Sequence, residues 1–275
     1  MISYEFDYTR PDTVEAALDL LDDDSKILAG GHSLIPALKL RLSAPGKLID
    51  IARIPSLKGI KMDGNELVIG AAATHSDILE SDLIKQHLPM FAEGAALIGD
   101  PMIRHKGTLG GSLAHADPSA DWPAMVLAAE GTVVVQSKTG TRSISSDDFF
   151  TGFYSTALES GEIITEIRFP IPAEGTKMTY QKFVQPASRF AIVGCAALRH
   201  PDGTARVAFT GVADAPFRDT AVENAVGDWS EEALEAAVAL TAQGMEFNVD
   251  HYASETYRHH LARVYCRKAL KALLY

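Results

Sequence analysis

The residues best equipped for chemistry stand together at Thr108-Leu109-Gly110-Gly111-Ser112-Leu113-Ala114-His115-Ala116-Asp117-Pro118-Ser119-Ala120-Asp121. Adjacent glycines let a backbone take positive φ and approach a ligand without Cβ obstruction. Successive N–H groups in such a turn converge into an anion-binding nest. A second pair, Gly30-Gly31, is followed by His32 and Ser33. Two glycine loops of this kind can cradle one dianionic pyrophosphate; the alternative is that both are plain turns. Neither belongs to a Gly-x-Gly-x-x-Gly, and no Gly-x-x-x-x-Gly-Lys-Ser/Thr occurs, so the Rossmann and P-loop readings fall away.

Other groups carry less. His32, His75, His87, His105, His115, His259 and His260 match no zinc spacing, and His-Glu-x-x-His is absent. Without Gly-x-Ser-x-Gly there is no nucleophile elbow. Asp117 and Asp121 are either paired carboxylates or a source of the N-cap for the helix that follows. Arg104-His105-Lys106 either faces a phosphate or forms a solvated turn.

Several elements must position these groups. Asp12 and Glu15 have capping-box spacing, and Val14, Ala17, Leu18 and Leu21 share a face, predicting a helix of about three turns. A strand over 26–29 leads into the first glycine pair, and 47–51 and 66–71 read as further strands. Thr74 or Ser76 caps a helix to Leu83, and 89–98 and 122–129 form others. Residues 132–135 and 163–169 are strands, with a hairpin turn at 137–141. Pro170-Ile171-Pro172-Ala173-Glu174-Gly175 is the linker candidate. Strands at 179–184, 190–198 and 206–212 and helices at 230–243 and 254–274 then predict a small α+β unit.

The whole chain narrows the function classes. At 275 residues it exceeds one ordinary domain, and 47% hydrophobic residues supply ample core. A net charge of −11 excludes a general nucleic-acid binder and disfavours an anionic membrane surface. No apolar run approaches the ~18 residues that span a bilayer, and no signal segment opens the chain, so a cytoplasmic location is expected. Cys195 and Cys266 cannot hold an iron–sulfur cluster, which takes four thiolates, and read as buried free thiols.

With both glycine loops in view, the chain resembles the flavoprotein (medium) subunits of the molybdenum hydroxylases. This family is typified by aerobic carbon monoxide dehydrogenase and related to the FAD domain of xanthine dehydrogenase. Ala29-Gly30-Gly31-His32-Ser33-Leu34-Ile35-Pro36, continuing as Lys39-Leu40-Arg41-Leu42, is similar to its first flavin loop. Thr108-Leu109-Gly110-Gly111-Ser112, preceded by Asp100-Pro101-Met102-Ile103-Arg104, is similar to its second. Tyr8-x-Arg10-Pro11, Asp148-Phe149-Phe150-x-Gly152 and Tyr257-Arg258-x-x-Leu261 extend the likeness over essentially the whole chain.

The resemblance implies an α+β fold. A two-subdomain FAD-binding domain of the vanillyl-alcohol-oxidase (PCMH) type would occupy 1–172, divided at about residue 55, with a small α+β C-terminal domain at 176–275. It implies FAD as cofactor, contacted by Ile27, Leu28, Ala29, Gly30, Gly31, His32, Ser33 and Leu34 and by Thr108, Leu109, Gly110, Gly111 and Ser112. These contacts would be made chiefly through backbone N–H groups on the pyrophosphate. Ile98, Asp121, Ile164 and Lys182 match further FAD-contact positions. At Lys182 a cation near the pyrimidine edge would favour reduced, anionic flavin. Phe190 matches an aromatic that covers the isoalloxazine, where tyrosine is usual; shielding remains without a hydroxyl. No side chain is assigned to acid–base catalysis or to a metal.

By the same resemblance a large molybdenum-cofactor subunit oxidises the substrate, and a small 2Fe–2S subunit passes electrons to FAD here and on to an external acceptor. The assembly would be a dimer of heterotrimers. Members that oxidise carbon monoxide carry asparagines where this chain reads Ser112-Leu113-Ala114-His115-Ala116, so the likeness does not extend to carbon monoxide as substrate. Two rivals are a stand-alone FAD oxidoreductase of this fold and a non-catalytic phosphate-binding or assembly module.

Overall fold

The computed structural model describes residues 2–275. The chain opens with a parallel sheet in which Lys47–Asp50 lies between Asp7–Thr9 and Ser25–Leu28. Parallel strands require crossovers, and the helices Val14–Leu20 and Leu34–Lys39 occupy them. Val14, Ala17 and Leu18 bury against Ile49, Ile51, Ile54 and Leu57. The cap differs from the expected Asp12: the Thr13 hydroxyl accepts the Ala16 N–H at 3.1 Å. The helix is also shorter than expected, at seven residues. Ser25 Oγ takes the Asp22 N–H at 2.9 Å and draws the chain into a turn just after Leu21.

A five-stranded antiparallel sheet follows. Its centre is the late strand Ile163–Pro170, flanked by Glu66–Gly70 and Thr132–Ser137, with Ile60–Asp63 and Gly140–Ser145 at the edges. Between Glu66–Gly70 and Thr132–Ser137 the chain inserts the helices His75–Glu80, Asp82–His87, Pro89–Leu97, Pro101–Arg104, Leu109–His115 and Trp122–Ala128. They bury Phe91, Leu109 and Trp122 with Leu67, Ile69 and Phe169 from the sheet. The second glycine pair is therefore not a loop but the first turn of a helix. A good N-cap at Thr108 and close backbone packing override glycine's poor helix propensity.

The last sheet runs in the order Lys177–Val184, Ala191–Arg199, Ala205–Thr210, Phe217–Arg218. One face packs beneath Thr220–Ala225, Glu231–Ala239 and Glu255–Ala272, burying Val193, Cys195, Phe209 and Cys266. The other face gives Tyr180, Ala196 and Ala208 to the core around Trp122 and Met125. Burial on both faces explains the nearly unbroken small apolar run of Ala191–Arg199. Cys195 and Cys266 are buried free thiols. Thr220–Ala225 and Phe217–Arg218 were not foreseen because each is too short to show a period.

Candidate functional site

Strand Ser25–Leu28 delivers the first glycine pair to the edge of the second. A Cβ on Gly30 would stand 2.2 Å from Lys106 O and 2.7 Å from Gly107 Cα, so only glycine allows the two segments to touch. Gly31, at φ +76°, turns the chain toward helix Leu34–Lys39. Among the described residues, the amides of Gly30, Gly31, His32, Ser33 and Leu34 donate to no protein acceptor. Five successive free N–H groups on a partly exposed bend form a cradle suited to an anion. The residues present therefore fit the pyrophosphate of a dinucleotide.

The second segment is built differently. It runs along residues 71–75, with His75 N donating to Gly107 O at 3.0 Å, Leu109 N to Ala73 O at 3.1 Å and Gly110 N to Ala71 O at 2.9 Å. A Cβ on Gly110 would lie 2.6 Å from Ala71 Cβ. Thr108 Oγ1 accepts from Gly111 N at 3.2 Å, and Thr108 O accepts from Ser112 N at 3.0 Å. The amides of residues 109–112 are thus already paired. The two segments therefore differ: the amides of residues 30–34 are free, whereas those of residues 109–112 have protein partners.

His75 braces the junction. Its Nδ1 accepts from Trp122 Nε1 at 3.1 Å, and its Nε2 would lie 2.5 Å from a Cβ on Gly107. Burial, with the charges of His32 and Arg104 adding, pushes its pKa down to about 3. The imidazole is neutral, and it is a strut rather than a metal ligand or base.

A second cluster gathers around Asp121. Its carboxylate caps no helix; it accepts from Tyr180 Oη at 2.6 Å and from Lys182 Nζ at 2.8 Å. The same ammonium reaches Leu97 O at 3.3 Å. Arg104 donates to Ile98 O at 3.0 Å and Arg189 to Gly99 O at 3.3 Å, which fixes the turn containing Ile98. Burial raises the Asp121 carboxyl above its usual range, with Lys182 and Tyr180 pulling the other way, and pushes the Tyr180 hydroxyl up. Two of the three Lys182 donors are committed, and the ammonium forms a buried ion pair with Asp121.

Asp117 does not pair with Asp121. Its Oδ1 accepts from Ser119 N at 2.8 Å, and burial together with its carboxylate pushes Tyr154 up to about 12. Ile164 is buried opposite Val135 beside a bulge in the central strand, and Phe190 is 42% exposed. Phe190 adjoins Ala191, whose N–H reaches Ser119 O at 3.2 Å. Tyr180 was missed. Its signal was spacing: it shares a strand face with Lys182, and Gly194, which pairs with Lys182 on the next strand, leaves room for its hydroxyl, which a Cβ would meet at 2.2 Å. A cleft of about 490 Å³ lined by Leu18, Lys138 and Glu162 contains none of these groups.

The chain is similar to known proteins along its whole length. A family described as the FAD binding domain in molybdopterin dehydrogenase matches residues 4–172. One described as the CO dehydrogenase flavoprotein C-terminal domain matches residues 178–273. The carbon monoxide dehydrogenase medium chain of Hydrogenophaga pseudoflava is 38% identical, over 99% of this chain and 98% of that one. The glyceraldehyde dehydrogenase medium chain of Sulfolobus acidocaldarius is 34% identical, over 97% and 98%. A solved structure of carbon monoxide dehydrogenase from H. pseudoflava superposes with a TM-score of 0.96 at 40% identity, covering 100% of this chain and 99% of that one.

Proposed function

The chain belongs to the FAD-binding medium subunits of the molybdenum hydroxylases, and from that premise we propose how its own residues perform the electron-transfer role. It is an oxidoreductase subunit with FAD as cofactor, and it works alongside a large and a small partner. The relatives carry names as different as carbon monoxide, glyceraldehyde and nicotine enzymes while their medium chains stay alike. That pattern supports substrate selection on the large partner and argues against a stand-alone oxidoreductase.

The observation that carries the site assignment is the run of unpaired amides at residues 30–34, whose first residue, Gly30, is pressed against Lys106 and Gly107. These amides bind the pyrophosphate, and residues 108–112 close the opposite wall. Bound FAD would supply the electron-carrying chemistry between the small partner and an external acceptor. The protein's part is to hold and to tune. Asp121, kept in place by Tyr180 and Lys182, presents a fixed buried carboxylate beside Ile98; Ile27 and Leu28, and Ile164 on the central strand, pack the apolar side. Phe190 shields the ring without donating a hydrogen bond.

The finer assembly is a large molybdenum-cofactor subunit and a small 2Fe–2S subunit in a dimer of heterotrimers. Two cysteines here leave the clusters to that small chain. Its place is the cytoplasm; among the described residues no helix is long and apolar enough to cross a membrane. A domain boundary at residues 173–175 accords with Gly175 and with Pro170 and Pro172 just before it.

The test is flavin uptake by the purified full chain. It should be yellow or become so with FAD, and it should leave the flavin oxidised with small organic substrates until its partners are added. A colourless chain that ignores FAD would refute the reading, and substrate-driven reduction without partners would restore the stand-alone alternative.

A further inference from the structure

Arg258 sits in the long helix Glu255–Ala272, and only 1% of it is exposed. A buried guanidinium is costly unless its donors find partners. Here the partners are almost all main-chain carbonyls. One Nη donates to Ile192 O at 2.5 Å and to Gly211 O at 2.6 Å, and Nε donates to Asn248 O at 2.8 Å. The other Nη stands 2.8 Å from the Asp250 carboxylate, off the hydrogen-bond axis. Two strand ends converge on one nitrogen because Gly211, at φ +78°, has no Cβ. A Cβ there would lie 2.6 Å from Ile192 O and 2.8 Å from Ala191 O.

The opposite side of the same strand ends grips the segment that follows the second glycine pair. Gly211 N donates to Pro118 O at 2.6 Å, and Ala191 N donates to Ser119 O at 3.2 Å. The Thr210 hydroxyl is shared between Pro118 O at 2.7 Å and Ala120 O at 2.6 Å. That segment runs straight into Asp121, and Ala191 immediately follows Phe190. We propose that Arg258 is a positioning residue for the flavin site: by fixing Ile192 and Gly211 it sets where Asp121 and Phe190 stand, without touching the cofactor itself. The proposal rests on the FAD assignment above.

The test uses the full chain loaded with FAD, reading the flavin dissociation constant, absorbance band positions and midpoint potential. Arg258→Met and Gly211→Ala break the convergence from its two sides. Each should weaken FAD binding about tenfold or more and shift the potential, as expected for loss of a buried charged hydrogen-bond set. Arg258→Lys, which keeps the charge but not the fork, should fall between them and wild type. Leu270→Ala, buried on the same helix, should lower the unfolding midpoint and leave the flavin unchanged.

If Arg258→Met holds FAD with wild-type affinity and potential, the proposal fails. It fails equally if Leu270→Ala moves the flavin as far for the same loss of stability. Should Arg258→Met not fold, Arg258→Lys and Gly211→Ala decide by the same readouts. A wild-type chain that takes up no FAD would instead defeat the underlying assignment, which separates the two failures.

Discussion

At Gly30 the absent Cβ is what lets the start of the free-amide run at residues 30–34 lie against Lys106 and Gly107. Gly30→Ala must move backbone rather than a flexible side chain, at about 1–3 kcal/mol for overpacking. Flavin content per chain should fall sharply; full retention would show that this seam is only a turn. His75 yields a pH prediction. Its folded pKa, pushed down to about 3, lies below the ordinary value of 6.5. The neutral ring therefore contributes stability that is complete above pH 6.5 and fades as pH falls toward 3. Between pH 6.5 and 5 the loss should be about 2 kcal/mol, at 1.36 kcal/mol per unit. His75→Asn keeps an acceptor for Trp122 and should remove this component. Denaturant titrations of both proteins at the two pH values check it: parallel losses would mean that His75 does not titrate across this window.

At the scale of elements, the first turn of Leu109–His115 depends on its cap. Thr108→Ala removes the acceptor for Gly111 N and should cost about 1 kcal/mol, with Thr108→Ser restoring most of it in thermal melts. Much of the fold was legible because its strands end on strong signals. Ile163–Pro170 stops at its proline, and Trp122–Ala128 starts beside an aspartate with Pro123 in its first turn. What escaped were short helices whose residues argue against helix. Leu109–His115 carries two glycines, and Leu34–Lys39 carries Pro36 near its start, where a missing N–H costs little. Of the candidate site, the glycine pairs were readable from spacing. Their division of labour was not, because it depends on which amides long-range neighbours have already taken. Tyr180 escaped for the same reason: its partner Asp121 is 59 residues away.

At the scale of the molecule, the last sheet belongs to two cores at once, and the ion pair Asp121–Lys182 joins it to the helices inserted in the first sheet. Asp121→Asn would strand a buried ammonium and should destabilise the chain by about 3–5 kcal/mol, whereas Asp121→Leu with Lys182→Met should recover most of that. Chemical denaturation of the three proteins tests it; a double variant no more stable than Asp121→Asn would mean that the two charges do not depend on one another. The clasp on Pro118 also ties the flavin site to the order of synthesis. Pro118 O obtains its Thr210 partner 92 residues later in the chain. A ribosome-bound fragment that stops before Thr210 has both glycine pairs but lacks the Thr210 and Gly211 contacts that hold Pro118 and Ala120. The segment leading to Asp121 is therefore expected to reach its final position only after Thr210 and Gly211 have been synthesised.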